Sequence, residues 1–86
     1  MDRNAVLTIV CEQLGQILEL DPSTINESST FAELDADSLA LIELVEALEE
    51  AFSEVSEGFR IDDEDLEGLK SVGDAVNYVS SKLGAV

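Results

Sequence analysis

One serine in this chain of 86 residues stands where chemistry could be attached to it. Ser38 lies between Asp37 and Leu39 in LDADSLALIELVEALEEAF, residues 34–52, a stretch that contains no basic residue. We expect Asp37 to be an N-cap and Ser38 the first residue of a helix, so that the hydroxyl lies beside unpaired backbone N–H groups and the positive end of the helix dipole. A phosphate ester on Ser38 would be stabilised at that position.

The sequence gives Ser38 little support as a catalytic nucleophile. The chain has no histidine, which removes the commonest general base and the commonest metal ligand. Asp37 alone is a poor base for a hydroxyl, and no oxyanion hole is recognisable. Taken by itself, a serine at a helix start most simply helps to cap the helix.

The composition limits the choice of partners. Twenty Asp and Glu against four Lys and Arg give a formal charge of −16, which repels nucleic acids and anionic lipids and attracts basic proteins. The single cysteine, Cys11, cannot form an internal disulfide, and no signal peptide or membrane span is recognisable. We therefore expect a cytoplasmic protein with no nucleic-acid partner and no membrane span.

Helical periodicity accounts for the first half of the chain. A helix is predicted over residues 2–20, capped by Asp2, and Pro22 then begins a long polar loop. Ile25, Phe31 and Leu34 are expected to pin that loop to the core, and Thr30 and Glu33 have the spacing of a capping box. The second helix is predicted over residues 37–52. Its apolar face is expected to comprise Ile42, Val45, Leu48 and Phe52, flanked by Leu41 and Leu44, with Glu43, Glu46, Glu49 and Glu50 pointing largely away.

The second half predicts two further helices. Asp62 or Asp63 is expected to cap a short helical turn that carries Leu66 and Leu69. Ser71 and Asp74 have capping-box spacing, and a last helix is predicted from there to Gly84. The fold class is therefore all-α: a small four-helix bundle with three longer helices and a short third one, forming a single domain over residues 1–86.

These motifs together resemble the acyl carrier protein family. Its modified serine lies in a DSL motif that opens an acidic second helix ending ELV-x-ALEE-x-F. This chain has the same residues at the matching positions: Asp37, Ser38, Leu39, Glu43, Leu44, Val45, Ala47, Leu48, Glu49, Glu50 and Phe52. The resemblance also covers the first helix, the anchored loop, the third segment and the Val-rich last helix.

The resemblance implies a carrier and not an enzyme. A separate phosphopantetheinyl transferase would attach phosphopantetheine from coenzyme A to Ser38, flanked by Asp37 and Leu39, and the arm's thiol would hold acyl chains as thioesters. The protein would deliver them, as a monomer, to fatty-acid or polyketide synthesis enzymes with basic docking patches. The residues implied in partner binding are Asp35, Glu43, Glu46, Glu49, Glu50 and Ile42. The acyl chain would be sheathed in a cleft among Ile42, Val45, Leu66 and Val76, although each of these taken singly is an ordinary core residue.

The chain departs from the family pattern in three places. Many members have glycine where this chain has Asp35, and an apolar residue where it has Glu46. The segment after Phe52, SEVSEGFR, is several residues longer than usual and ends in Arg60, one of only four basic residues. These departures leave the attachment site intact and change the surface beside it.

Two other interpretations stay open at this point. In the first, the chain is an acidic interaction protein or nucleic-acid mimic, and Ser38 is only a helix cap. In the second, the chain also binds metal ions. Asp35, Asp37 and Glu46 occupy positions one, three and twelve of a calcium-loop pattern, but position five is Leu39 and position six is Ala40 in place of a ligand and a glycine. The acids of residues 62–65 could bind divalent ions weakly. We predict no formed metal site.

Overall fold

The computed structural model describes residues 2–84, apart from the side chain of Asp63. It contains α1 (Arg3–Leu18), a 3₁₀ turn (Pro22–Thr24), α2 (Ser38–Ser53), α3 (Asp63–Leu66) and α4 (Val72–Leu83). Within the described residues the only β-type pairing is an isolated bridge between Thr30 and Ser71. The predicted all-α bundle of three longer helices and one short helix is confirmed.

Caps determine where α1 begins and ends. The Asp2 side chain accepts a hydrogen bond from the N–H of Ala5 at 2.9 Å, as the sequence predicted. The helix ends at Leu18, two residues before the predicted limit, because Glu19 adopts a left-handed conformation with φ 58°. The chain then folds back so closely that a Cβ on Gly15 would lie 2.8 Å from the carbonyl oxygen of Leu20. Glycine is therefore required at position 15.

The core lies along α1, which packs against both α2 and α4. Its fully buried side chains come from all three longer helices: Val6, Val10 and Leu14 from α1, Leu48 and Phe52 from α2, and Val72, Val76 and Val79 from α4. Burial of such aliphatic and aromatic side chains contributes roughly 1.5–3 kcal/mol each. This core fixes the position of α2, and with it the position of Ser38.

The long loop between α1 and α2 is pinned to the core, as predicted. Ile25 and Phe31 are buried, and Leu34 is partly buried. Backbone hydrogen bonds join the loop to the start of α4, from Phe31 N–H to the Lys70 carbonyl at 3.0 Å and from Val72 N–H to the Ser29 carbonyl at 2.9 Å. The Glu33 N–H donates to Thr30 Oγ1 at 3.1 Å, which is one half of the predicted capping box.

The long connector after α2 forms a compact turn. The N–H groups of Val55 and Ser56 both donate to the carbonyl of Phe52, at 3.0 and 2.9 Å. The Phe59 ring packs edge-to-face on Phe52, with centroids 5.6 Å apart, and Ile61 beyond it is buried. The connector is therefore anchored at both ends, and it holds Arg60 next to α2.

Helices α3 and α4 are joined by a polar cluster. The Tyr78 hydroxyl donates to Asp65 Oδ2 at 2.6 Å and accepts from the Asp62 N–H at 3.4 Å. Burial, followed by the hydrogen bond to Asp65, raises the pKa of Tyr78. Asp62 is the N-cap of α3 but makes no side-chain capping bond, and the side chain of Asp63, the other predicted cap, lies outside the described residues. The capping box of Ser71 and Asp74 is complete, and α4 ends at a left-handed Gly84, as predicted.

Candidate functional site

Ser38 is the first residue of α2, and Asp37 is the N-cap, as the sequence predicted. The Asp37 carboxylate accepts a hydrogen bond from the N–H of Ala40 at 2.9 Å. Asp37 therefore caps the helix, and this role does not fall to Ser38. The Ser38 side chain is exposed at the helix start, where a bulky group could be attached without disturbing the core.

The turn before α2 contains a conformation that was not predicted. Asp35 has φ 57°, in the left-handed region that L-residues other than glycine, asparagine and aspartate seldom adopt. Hydrogen bonds from Asp35 N–H to the Ala32 carbonyl (3.2 Å) and from Ala36 N–H to the Phe31 carbonyl (2.9 Å) close this turn. The conformation explains in physical terms why glycine suits this position, and aspartate tolerates it.

The surface around Ser38 combines apolar and acidic side chains. Leu39 is 64% exposed and Ile42 is 49% exposed. Asp35, Glu43, Glu46 and Glu50, which the sequence assigned to partner binding, are all exposed. The surface therefore presents two large apolar side chains surrounded by negative charge.

The prediction of which residues form the centre of the buried face of α2 was wrong. Ile42 was expected on the buried face, but half of it is exposed. The buried stripe is Ala40, Leu44, Leu48 and Phe52, which follow one another at intervals of four residues. Because α2 packs against α1 along this stripe, Leu41 and Val45 are only partly buried at its flank.

Glu49 does not share the environment of the other acids of α2. It is half-buried, and its Oε2 accepts a hydrogen bond from the N–H of Ile61 at 3.0 Å. The two residues are twelve positions apart, so this contact ties the end of the connector to the C-terminal part of α2. Glu49 was assigned to partner binding, and the structure gives its carboxylate an internal contact.

Two cavities have Ile42 and Leu66 in their walls, and one of them is also lined by Ser38. The first, about 390 Å³, is called the proximal cavity, and its other lining residues are Ser38, Leu41, Glu67 and Leu69. The second, about 220 Å³, is called the distal cavity, and its other lining residues are Val45, Glu46, Glu49, Arg60 and Ile61. Of the residues predicted to line a cleft, Ile42, Val45 and Leu66 do so. The prediction that Val76 lines the cleft was wrong, because Val76 is completely buried in the core.

The remaining candidate groups are accounted for by packing. Cys11 is buried with its Sγ 3.7 Å from the Ile25 carbonyl, and burial, followed by the charges of Glu27 and Glu12, raises the pKa of its thiol. Among the side chains that the structure describes, which leave out Asp63, no three of aspartate, glutamate, histidine or cysteine are arranged to hold a metal ion. In the same part of the chain no helix has the length and apolar character needed to cross a bilayer.

Comparison with known proteins identifies the family. A family model described as "Phosphopantetheine attachment site" matches residues 4–79. The acyl carrier protein of Chlamydia caviae is 44% identical over 80 residues, which cover 92% of each chain. This chain belongs to the acyl carrier protein family. The acyl carrier protein of Prochlorococcus marinus is 39% identical over 85 residues, which cover 98% of this chain and all of that one. The solved structure of an acyl carrier protein from Enterococcus faecalis is 32% identical, with a TM-score of 0.72 over 94% of this chain and 98% of that chain.

Membership of the acyl carrier protein family gives this chain its general role. It is a carrier of acyl groups and not an enzyme, and its cofactor is phosphopantetheine. The exposed hydroxyl of Ser38, at a helix start already capped by Asp37, fits covalent attachment of such a group. When attached, the arm supplies a terminal thiol that holds the acyl group as a thioester.

Proposed function

We propose that Ser38 is the attachment point of the phosphopantetheine arm. The observation that carries this proposal is the division of roles at the start of α2: Asp37 caps the helix while the neighbouring hydroxyl of Ser38 is exposed. A phosphate ester on Ser38 would lie at the N-terminus of a helix of 16 residues, where the helix dipole favours negative charge. Leu39, 64% exposed beside it, would contact the first part of the arm or the enzyme that attaches it.

The acidic surface would guide partner enzymes to the arm. Asp35, Glu43, Glu46 and Glu50 are exposed on the turn before α2 and along it, within a chain of formal charge −16. Such a field mainly accelerates encounter and selects partners with basic patches, while each surface ion pair contributes only about 0–1 kcal/mol. The partners would be a phosphopantetheinyl transferase and enzymes of fatty-acid or polyketide synthesis.

Ile42 would act with these acids as an apolar contact. It is 49% exposed and belongs to the wall of both cavities, so a partner could cover it while the arm lies nearby. We include Glu49 among the docking residues only as part of the long-range field, since its carboxylate is hydrogen-bonded to Ile61. The chain would work as a monomeric single domain, residues 1–86, in the cytoplasm.

The test is an intact-mass measurement. The protein is incubated with coenzyme A, magnesium and a broad-specificity phosphopantetheinyl transferase, beside Ser38→Ala and the control Ser81→Ala, in which an exposed hydroxyl of α4 is removed. The parent and Ser81→Ala should each gain one phosphopantetheine, and Ser38→Ala should gain none. A folded parent that gains no mass would contradict the proposal, and so would modification of Ser38→Ala.

A further inference from the structure

The proximal and distal cavities lie on the same side of α2 and have two residues of their walls in common. They share Ile42 and Leu66, and the proximal cavity begins at Ser38. Glu46 and Glu49, in the wall of the distal cavity, follow Ser38 by 8 and 11 positions. At the rise of an α-helix this puts them roughly 12–16 Å farther along the axis. An acyl chain on the arm of Ser38 can therefore lie against Ile42 and Leu66 with its end in the distal cavity.

The two cavities have different chemistry. Apart from Ser38 and Glu67, the proximal cavity is lined by leucine and isoleucine, which suits a run of methylene groups. The distal cavity adds three charged side chains, Glu46, Glu49 and Arg60, to its apolar residues. Burying an alkyl end against those groups would remove water from them without replacing its hydrogen bonds, which is unfavourable.

Two of the departures from the family pattern meet in this distal cavity. Glu46 stands where an apolar residue is usual, and Arg60 ends the lengthened connector. The structure brings them into one wall because Phe59 packs on Phe52 and the Ile61 N–H is bonded to Glu49. The long connector thus places a guanidinium in the distal cavity, which shares Ile42 and Leu66 with the cavity beside Ser38.

We propose that the distal cavity recognises a hydroxyl group near the far end of the tethered acyl chain, so that hydroxylated chains are sheathed in preference to alkyl chains of equal length. The proposal rests on the attachment of the arm to Ser38. A guanidinium only donates hydrogen bonds and carboxylates only accept them, while a hydroxyl does both. It can therefore bond to Arg60 and to Glu46 or Glu49 together.

Charged chain ends fit less well. A carboxylate would meet Arg60 but would also face Glu46 and Glu49, within a chain of formal charge −16. An ammonium group would donate to the two carboxylates, but it would face the like charge of Arg60 and would lose the strong hydration of a charged group on entering the cavity. A neutral hydroxyl can accept from the guanidinium and donate to a carboxylate, and it is repelled by neither.

The experiment compares thioester protection among matched chains. The holo-protein is loaded with hexanoyl, octanoyl or decanoyl groups, with their ω-hydroxy counterparts, and with ω-carboxy and ω-amino forms, each checked by intact mass. The rate of cleavage by hydroxylamine then reports how well each thioester is sheathed. In at least one length the ω-hydroxy chain should be cleaved about 2- to 10-fold more slowly than the alkyl chain, as expected for one net hydrogen bond. Loading with the ω-hydroxy chain should also shift the amide resonance of Ile61 in the NMR spectrum, because Ile61 lines the distal cavity.

Matched variants identify the residues responsible. Glu46→Leu combined with Arg60→Leu should remove the preference for the hydroxyl. Glu12→Leu combined with Lys70→Leu should keep it, because Glu12 and Lys70 are exposed and line neither cavity. The inference would be overturned if alkyl chains were protected as well as or better than ω-hydroxy chains at every length, or if a charged chain end were protected most strongly. It would also be overturned if the preference for the hydroxyl survived in the Glu46→Leu and Arg60→Leu double variant. In each of these cases the arm is loaded and the proposed function stands. A parent that takes up no arm would overturn both.

Discussion

Removal of the Glu49 carboxylate should destabilise the protein although it relieves negative charge. Glu49 Oε2 accepts from the Ile61 N–H at 3.0 Å, and hydrogen bonds to a charged partner contribute about 1.5–3 kcal/mol when buried. Because Glu49 is only half-buried, hydrogen bonds to water replace part of that free energy in the variant. The loss of one negative charge from an acidic chain restores a few tenths of a kcal/mol more. We expect Glu49→Ala to lower the free energy of unfolding by about 1 kcal/mol, or Tm by roughly 4–8 °C for a domain of this size.

The control is Glu46→Ala, which removes an exposed carboxylate one helical turn earlier. It should change stability by no more than about 0.5 kcal/mol. Urea unfolding gives the free energies, and hydrogen exchange at the Ile61 amide should become faster in Glu49→Ala alone. Glu49→Gln, whose amide oxygen can still accept, should lie between the parent and Glu49→Ala. If Glu49→Ala and Glu46→Ala unfold alike, with unchanged exchange at Ile61, Glu49 is a docking residue without this structural role.

Three other changes test the structure elsewhere. Glu19→Gly should raise the free energy of unfolding in urea by about 1 kcal/mol, because glycine adopts the φ of 58° without strain and the change removes a negative charge from the C-terminus of α1. Glu19→Gln removes only the charge and should stabilise the protein less. Equal effects of the two variants would show that the backbone of Glu19 is not strained. Ser80→Ala should raise Tm more than the exposed control Ser81→Ala, because within the described residues the Ser80 hydroxyl is buried without a partner. The Arg3 guanidinium donates a hydrogen bond to the Glu27 carboxylate and lowers the pKa of that carboxyl. The ion pair therefore stabilises the folded state fully above the ordinary glutamate pKa of about 4.3, and this stabilisation is lost as pH falls through the lower pKa of the folded state. Glu27→Gln should accordingly flatten the acid side of a Tm-against-pH curve, and an unchanged slope would exclude the linkage.

Local signals in the sequence were enough to predict the helices and the position of Ser38. Asp2, Asp37 and the Ser71 and Asp74 pair are caps whose partners lie within a few residues, so their spacing carries the information. The early end of α1 was missed because Glu19 gives no sequence sign of a left-handed residue. The left-handed turn at Asp35 was also missed, although the glycine that many family members have at this position was a sign of it.

Long-range features could not be predicted from spacing. On α2 the rows through Ile42 and through Leu44 both repeat at helical intervals, and only packing on α1 decides that the Leu44 row is buried. The small side chain of Ala40 added no visible signal, although it continues that row. The bond between Glu49 and Ile61 depends on the path of the connector between them, which no periodicity describes. The resemblance to the family supplied the function, and the residues alone left an acidic interaction protein open.

The cap at Asp37 has a further consequence for how such a protein can be used. Since α2 is started by Asp37 through the Ala40 N–H, its first turn does not depend on the state of the neighbouring hydroxyl. Unmodified, primed and loaded molecules should then share one scaffold. A cell could hold a reserve of unprimed protein that is already folded, and converting it into the working pool would require no refolding.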